Sequence, residues 1–66
     1  MKSSLVLRRL RGELSQKEIA QRIGISKSAW AMYERGERVP RDDTKILISK
    51  YFDKTVSEIF FENVEH

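Results

Sequence analysis

Cysteine is absent from this 66-residue sequence, proline and histidine each occur once, and long apolar runs are lacking. A chain without cysteine forms no disulfide and offers no thiolate nucleophile, so the reducing cytoplasm is where we expect it. No stretch approaches the roughly 20 apolar residues that a membrane span requires. The opening residues do not resemble a secretory signal. The length predicts one domain over residues 1–66. Since no long apolar run is present, we expect this domain to make no contact with a membrane.

Residues typical of catalytic sites are also scarce. The only histidine is His66, and no serine has a histidine or basic lysine at a spacing that suggests a catalytic pair. Catalysis requires a nucleophile within reach of a base, or clustered metal ligands. We therefore predict that the protein is not an enzyme, and we expect no metal, no cofactor and no small-molecule ligand.

Charge is distributed unevenly along the chain. Residues 1–41 contain ten Lys/Arg against four Asp/Glu, a net charge of +6, and residues 42–66 contain three against six, a net charge of −3. A basic first part suits a protein that presents one face to a polyanion such as nucleic acid. The alternative is an ordinary solvated surface, and charge alone does not decide between the two.

Apolar residues recur at spacings of three and four, which predicts helices and no strands. A first helix over about residues 3–11 aligns Val6, Leu7 and Leu10 on one face. A second helix starts at a capping box, Ser15-Gln16-Lys17-Glu18, in which the serine and the glutamate each satisfy a backbone N–H. Gly24 ends this helix, because glycine adopts the left-handed conformation that a tight exit requires.

Three further helices follow. Ser26 begins the third, on which Trp30, Tyr33 and Glu34 share one face while Ser28, Ala31, Met32 and Arg35 share the other. Helices four and five are predicted within about residues 42–63, and the fifth starts at a second capping box, Thr55-Val56-Ser57-Glu58. The sequence therefore predicts an all-α fold of five short helices.

Helices two and three, joined by a short turn, form a helix-turn-helix over about residues 15–35. The run Leu14-Ser15-Gln16-Lys17-Glu18-Ile19-Ala20-Gln21-Arg22-Ile23-Gly24-Ile25-Ser26-Lys27-Ser28 and the run Tyr33-Glu34-Arg35-Gly36-Glu37-Arg38-Val39-Pro40 closely resemble the Cro/phage-repressor (XRE) family. The resemblance continues through Lys50-Tyr51-Phe52 and Val56-Ser57-Glu58-Ile59-Phe60. It implies a compact, lambda-repressor-like DNA-binding domain and a bacterial transcriptional regulator, a repressor of the prophage or mobile-element type.

The resemblance also implies which side chains contact DNA. Lys27, Ser28 and Met32 match positions that reach base edges in the major groove. Four further residues are expected to contact phosphates, which positions a protein without specifying sequence; they are Gln16, Lys17, Arg35 and Arg38. Arg41 follows the third helix and has the same leading role, although for any single arginine a solvated surface position is nearly as good an account.

The inner face of the helix-turn-helix is predicted to be structural. Its predicted members are Ile19, Ala20, Ile23, Trp30, Tyr33 and Glu34. Trp30 and Tyr33 could stack on bases, but their helical phase favours the core. A lone inward carboxylate is costly without a partner, and in the family Glu34 pairs with an arginine of the first helix. The spacing leaves Arg9 and Arg11 as alternatives.

Apolar residues near the end of the chain exceed what so small a core requires. We expect a homodimer on a palindromic operator, with Phe60, Phe61 and Val64 as the candidate interface. Its two recognition helices would lie about 34 Å apart. Core packing alone, or a monomer on half-sites, are the alternatives. A different class of function, a protein-interaction module such as an antitoxin that binds a partner protein, would use Ile46 and Leu47 as well.

Overall fold

The computed structural model describes residues 2–60, which fold into five helices joined by short loops. The helices are α1 (Lys2–Arg11), α2 (Gln16–Ile23), α3 (Lys27–Arg35), α4 (Asp42–Phe52) and α5 (Val56–Phe60). No strand occurs within this range, so the all-α prediction is confirmed. The predicted end of the fifth helix, to about residue 63, lies outside the described residues. None of the described helices is long and apolar enough to cross a bilayer.

The helix boundaries follow from local hydrogen bonds that the sequence predicted. The Ser15 hydroxyl accepts from the Glu18 N–H at 3.0 Å, and the Glu18 carboxylate accepts from the Ser15 N–H at 2.9 Å. The same reciprocal pair joins Thr55 and Glu58 at the start of α5. Both capping boxes are therefore confirmed, and each satisfies two backbone N–H groups that a helix start leaves unpaired.

One core joins all five helices. Each helix contributes at least one fully buried side chain, and the largest of these are Leu7, Ile19, Trp30, Ile48 and Ile59. Helix α3 packs against both α1 and α2, while α5 packs against α1 and α4. The central position of α3 matters for function, because it fixes one side of that helix inside the protein and leaves the other side outside.

Candidate nucleic-acid interface

The turn between α2 and α3 sets how the two helices cross. Gly24 ends α2 with φ +98°, in the left-handed region, and its N–H donates to the Ala20 carbonyl at 2.8 Å. An added Cβ at Gly24 would meet no atom within 4 Å, so glycine is needed here for its backbone conformation and not for space. Ser26 then caps α3 by accepting from the Ala29 N–H at 3.0 Å. The first turn of α3 is thus held in place by its own cap.

The inner side of α3 is buried. Trp30 is wholly inaccessible to solvent, and Tyr33 and Glu34 are also buried. From α2, the structure buries Ile19, Ala20 and Ile23 against the same cluster. Trp30 and Tyr33 therefore lie in the core rather than in a position to stack on bases. The Trp30 ring also lies 6.4 Å from that of Phe52, centroid to centroid, which ties α3 to α4.

A buried carboxylate, Glu34, connects the first three helices. Arg11 donates to it from Nε at 2.5 Å and from Nη2 at 3.1 Å, and Gln16 donates from Nε2 at 3.1 Å. The Trp30 indole N–H donates to the same carboxylate. Arg11 also donates from Nη1 to the Leu14 carbonyl at 2.8 Å. Of the two arginines that the sequence left as alternative partners of Glu34, the partner is therefore Arg11 and not Arg9. We call this cluster the Glu34 network (Arg11, Gln16, Trp30 and Glu34).

Two opposing effects set the pKa of Glu34. Burial disfavours the charged form and raises the pKa, while the hydrogen bonds donated by Arg11, Gln16 and Trp30 favour the charged form and lower it. The hydrogen bonds prevail, so the pKa of Glu34 lies below its ordinary value. Its carboxylate is therefore ionised in the folded protein at neutral pH. In this anionic form it holds α3 against α1 and α2 through the hydrogen bonds that it accepts.

This shift predicts a loss of stability in acid. A carboxylate whose pKa is lower in the folded state stabilises the fold above its unfolded pKa, about 4.3 for glutamate, and the stabilisation disappears as the pH falls through the folded pKa. We expect the midpoint of thermal unfolding to fall as the pH is lowered from 7 to 3, with a shallower dependence in Glu34→Gln. Circular dichroism melts across this range measure both. Parallel curves for the two proteins would exclude Glu34 as a contributor.

The outer side of α3 is open to solvent at its first turn. Lys27 and Ser28 are exposed, and Met32, one turn further on, is half-buried. These three predicted base-contacting residues therefore lie along the accessible side of the helix. Ala31 does not join them, although its spacing predicted it on the same face. It is 8% exposed, because α3 contacts two neighbouring helices and its buried sector is wider than a single stripe.

The predicted phosphate-contacting residues differ in how they are held. Lys17 and Arg38 are exposed, whereas Gln16 is half-buried and its amide already donates to Glu34. Arg35 donates to the Glu37 carboxylate from Nε at 2.9 Å and from Nη2 at 3.1 Å. A phosphate approaching Arg35 would compete with that carboxylate. Arg38 is thus the clearer candidate for a backbone contact.

A groove beside α3 brings further basic groups together. Arg38 and Arg41 line an open groove of about 280 Å³ beside Ala29 and Tyr33 of α3. The rest of its lining is Ile25 from the turn before α3, and Asp43 and Thr44 from the start of α4. The groove therefore borders α3 along Ala29 and Tyr33, beside the side that presents Lys27 and Ser28. The sequence predicted a role for Arg41, but it did not predict that Arg41 and Arg38 share a groove. The groove depends on how the loop before α4 folds back towards α3.

The predicted dimer interface can be located only in part. Phe60, a candidate dimer contact, is 9% exposed and belongs to the core, so it is not available as an interface residue in this fold. Phe61 and Val64 lie outside the described residues. Within residues 2–60, no group of three or more His, Asp or Glu side chains is arranged to hold a metal ion.

The comparison with protein families decides what this arrangement is. A family model described as helix-turn-helix matches residues 7–59, which extends from α1 into α5. The chain belongs to the helix-turn-helix family. This membership confirms the resemblance of the sequence to Cro/phage-repressor (XRE) regulators.

The chain is also similar to a curated phage repressor. Over 51 residues the chain is 29% identical to the cryptic phage CTXphi transcriptional repressor RstR of Vibrio cholerae. The match covers 77% of this chain and 46% of that repressor, so this helix-turn-helix chain aligns with about half of the relative's length. No solved structure gives a significant match.

Proposed function

We propose that the protein binds double-stranded DNA through α3 and acts as a transcriptional regulator of the prophage or mobile-element type. The observation that carries this proposal is the two-sided character of α3. Its inner side is anchored by Trp30, Tyr33 and Glu34, and its first turn presents Lys27 and Ser28 to solvent. A helix held in this way fits the major groove, which is about 12 Å wide. Family membership and the similarity to a phage repressor support the same function.

In this proposal Lys27, Ser28 and Met32 contact base edges. Lys17, Arg38 and the amide of Gln16 contact phosphates, and Arg35 does so when it is released from Glu37. The operator is palindromic and is bound by two copies of the chain. The activity is binding and not catalysis, and it would take place on the nucleoid in the bacterial cytoplasm.

The test is a titration with duplex DNA at two salt concentrations, followed by selection of preferred sites from random duplexes. We expect an affinity that falls steeply with salt, because neutralised phosphates release counterions. Selection should return one symmetric sequence. If the protein bound no DNA at either salt concentration but bound a partner protein tightly, the alternative function, a protein-interaction module, would be favoured instead.

Lys27→Ala is expected to relax base preference. If Lys27 donates to a guanine O6 or N7, its loss should weaken binding to the selected operator by about 1–3 kcal/mol and leave binding to non-specific duplexes nearly unchanged. Competition binding with operators altered one base pair at a time measures this. Lys17→Ala is the contrast, because the loss of a phosphate contact should weaken binding to all duplexes alike. Equal losses on all sequences for Lys27→Ala would reassign it to the backbone.

Arg38→Ala is expected to weaken all duplexes similarly and to reduce the slope of log affinity against log salt by about one unit. The reason is that one fewer phosphate is neutralised. Arg9→Ala is a matched control, since Arg9 lines a cleft between α1 and α5 with Val6, Leu10, Lys54 and Glu58. An unchanged slope in Arg38→Ala, or an equal change in Arg9→Ala, would remove Arg38 from the DNA-contacting set.

A further inference from the structure

Helix α4 carries exposed apolar side chains that the core does not use. Ile46, Leu47 and Tyr51 are 47%, 46% and 39% exposed, and we call them the α4 patch. The intervening Ile48 and Ser49 are buried, so the patch lies on the side of α4 that faces away from the core. The Tyr51 ring packs edge-on against Phe52 at 4.9 Å between centroids, which holds it in place.

Charges of opposite sign lie on either side of Ile46 and Leu47, the first two residues of the α4 patch. Asp43 lies one turn before Leu47, and Lys50 lies one turn after it. Residues three and four apart are neighbours on a helix surface. Both charged residues are exposed. Along this face the order is therefore acidic at Asp43, apolar at Ile46 and Leu47, and basic at Lys50, with Tyr51 beyond the basic residue.

A surface with this order is complementary to itself when it is reversed. A two-fold axis generates such a reversal, and in an isologous dimer each patch meets its own copy. We propose that the α4 patch is the surface through which two copies of this chain pair. The two α4 helices run antiparallel, Leu47 lies nearest the axis, and Asp43 of each copy lies opposite Lys50 of the other. Parallel pairing would instead bring like charges together.

This inference rests on the proposed function, because it supplies the dimer that a palindromic operator requires. It also replaces Phe60, which is buried, with residues that are accessible. Three apolar side chains per copy make a small interface, typical of weak association. We therefore expect pairing that depends on protein concentration in solution and that becomes stronger on DNA, where two half-sites hold both copies close together.

The first test is Leu47→Glu, with Leu5→Glu as its matched control. Leu5 is 50% exposed on α1, so the same substitution is made at the same exposure outside α4. Two glutamates near the axis repel each other, and we expect the dimer dissociation constant to rise by at least about tenfold. Sedimentation over a range of protein concentrations measures this, and thermal melts confirm that both variants fold. Leu5→Glu should dimerise like the unaltered protein.

The second test reverses the flanking charges. Asp43→Lys and Lys50→Glu should each weaken self-association, because each places like charges opposite one another across the axis. Mixing the two variants should restore dimers, since both cross-axis pairs in the mixed dimer are then attractive. Recovery on mixing depends on the antiparallel pairing and not on the stability of either variant alone.

Several results would overturn the inference. They are unchanged dimerisation in Leu47→Glu, no recovery on mixing folded charge variants, or an unaltered protein that stays monomeric and occupies the two half-sites without cooperativity. Dimers lost only in Phe61→Ala or Val64→Ala would place the interface near the end of the chain. DNA binding separates this inference from the proposed function. Leu47→Glu should still bind a single half-site, whereas a dimer that binds no DNA would refute the proposed function alone.

Discussion

A Trp30→Ala variant is expected to lose about 3–5 kcal/mol of its free energy of unfolding. Trp30 is the largest of the wholly buried side chains, and it contacts the cluster to which every helix contributes. Its removal leaves a cavity and also takes one hydrogen-bond donor from Glu34. A domain of this length is expected to have roughly 3–10 kcal/mol of total stability, so this loss is a large fraction of the total.

Urea titration followed by far-UV circular dichroism measures this loss. Trp30→Phe is the matched control, because it keeps most of the ring volume while it removes the indole N–H and the small remainder of the five-membered ring. Its expected cost is about 1–3 kcal/mol, the range for a buried charged group that loses one donor. If Trp30→Phe and Trp30→Ala were equally destabilised, the hydrogen bond and not the packing of the ring would account for the effect.

Glu34→Ala is expected to cost about 3 kcal/mol, the lower end of the range for breaking a buried ion pair. Three donors from α1, α2 and α3 lose their shared acceptor. The lower end applies because the Arg11 side chain is 23% exposed and can recover part of its hydration, whereas the Trp30 N–H cannot. DNA affinity should fall as well, because α3 is no longer fixed against α1 and α2.

Glu37→Ala supplies the comparison within the same chain. Glu37 also accepts two hydrogen bonds from an arginine, but both partners are more than half exposed. Exposed ion pairs contribute little to stability, so the unfolding curve should be almost unchanged. DNA binding of Glu37→Ala should be equal or tighter, since Arg35 is freed for phosphate. Equal destabilisation of Glu34→Ala and Glu37→Ala would contradict the central role given to the Glu34 network.

Features set by neighbouring residues were predictable from the sequence. The capping boxes at Ser15 and Thr55 depend on residues three positions apart, and the left-handed exit at Gly24 depends on one residue. Five helices follow from these signals and from apolar spacing. The family resemblance supplied the expected roles of Lys27, Ser28 and Met32, because helical phase alone says which residues share a face and not what they bind.

Features that depend on packing between helices were less predictable. Arg9 and Arg11 are both basic and lie on one short helix, and only the way α1 packs on α3 brings Arg11 to Glu34. Ala31 was placed outside because periodicity assumes one buried stripe, whereas α3 has two neighbours. Phe60 was placed at an interface, yet α5 packs on both α1 and α4 and buries it. The hydrogen bond from Trp30 to Glu34 could have been predicted, because residues four positions apart are neighbours on a helix.

The core, with at least one wholly buried side chain from every helix, makes the domain a single cooperative unit. No helix can detach without exposing a core residue that neighbouring helices contact, so we expect the five helices to unfold together. A ligand that binds only the folded state then stabilises the five helices together. Occupancy of α3 should therefore slow amide hydrogen exchange in α5, far from the bound surface, without any change of shape.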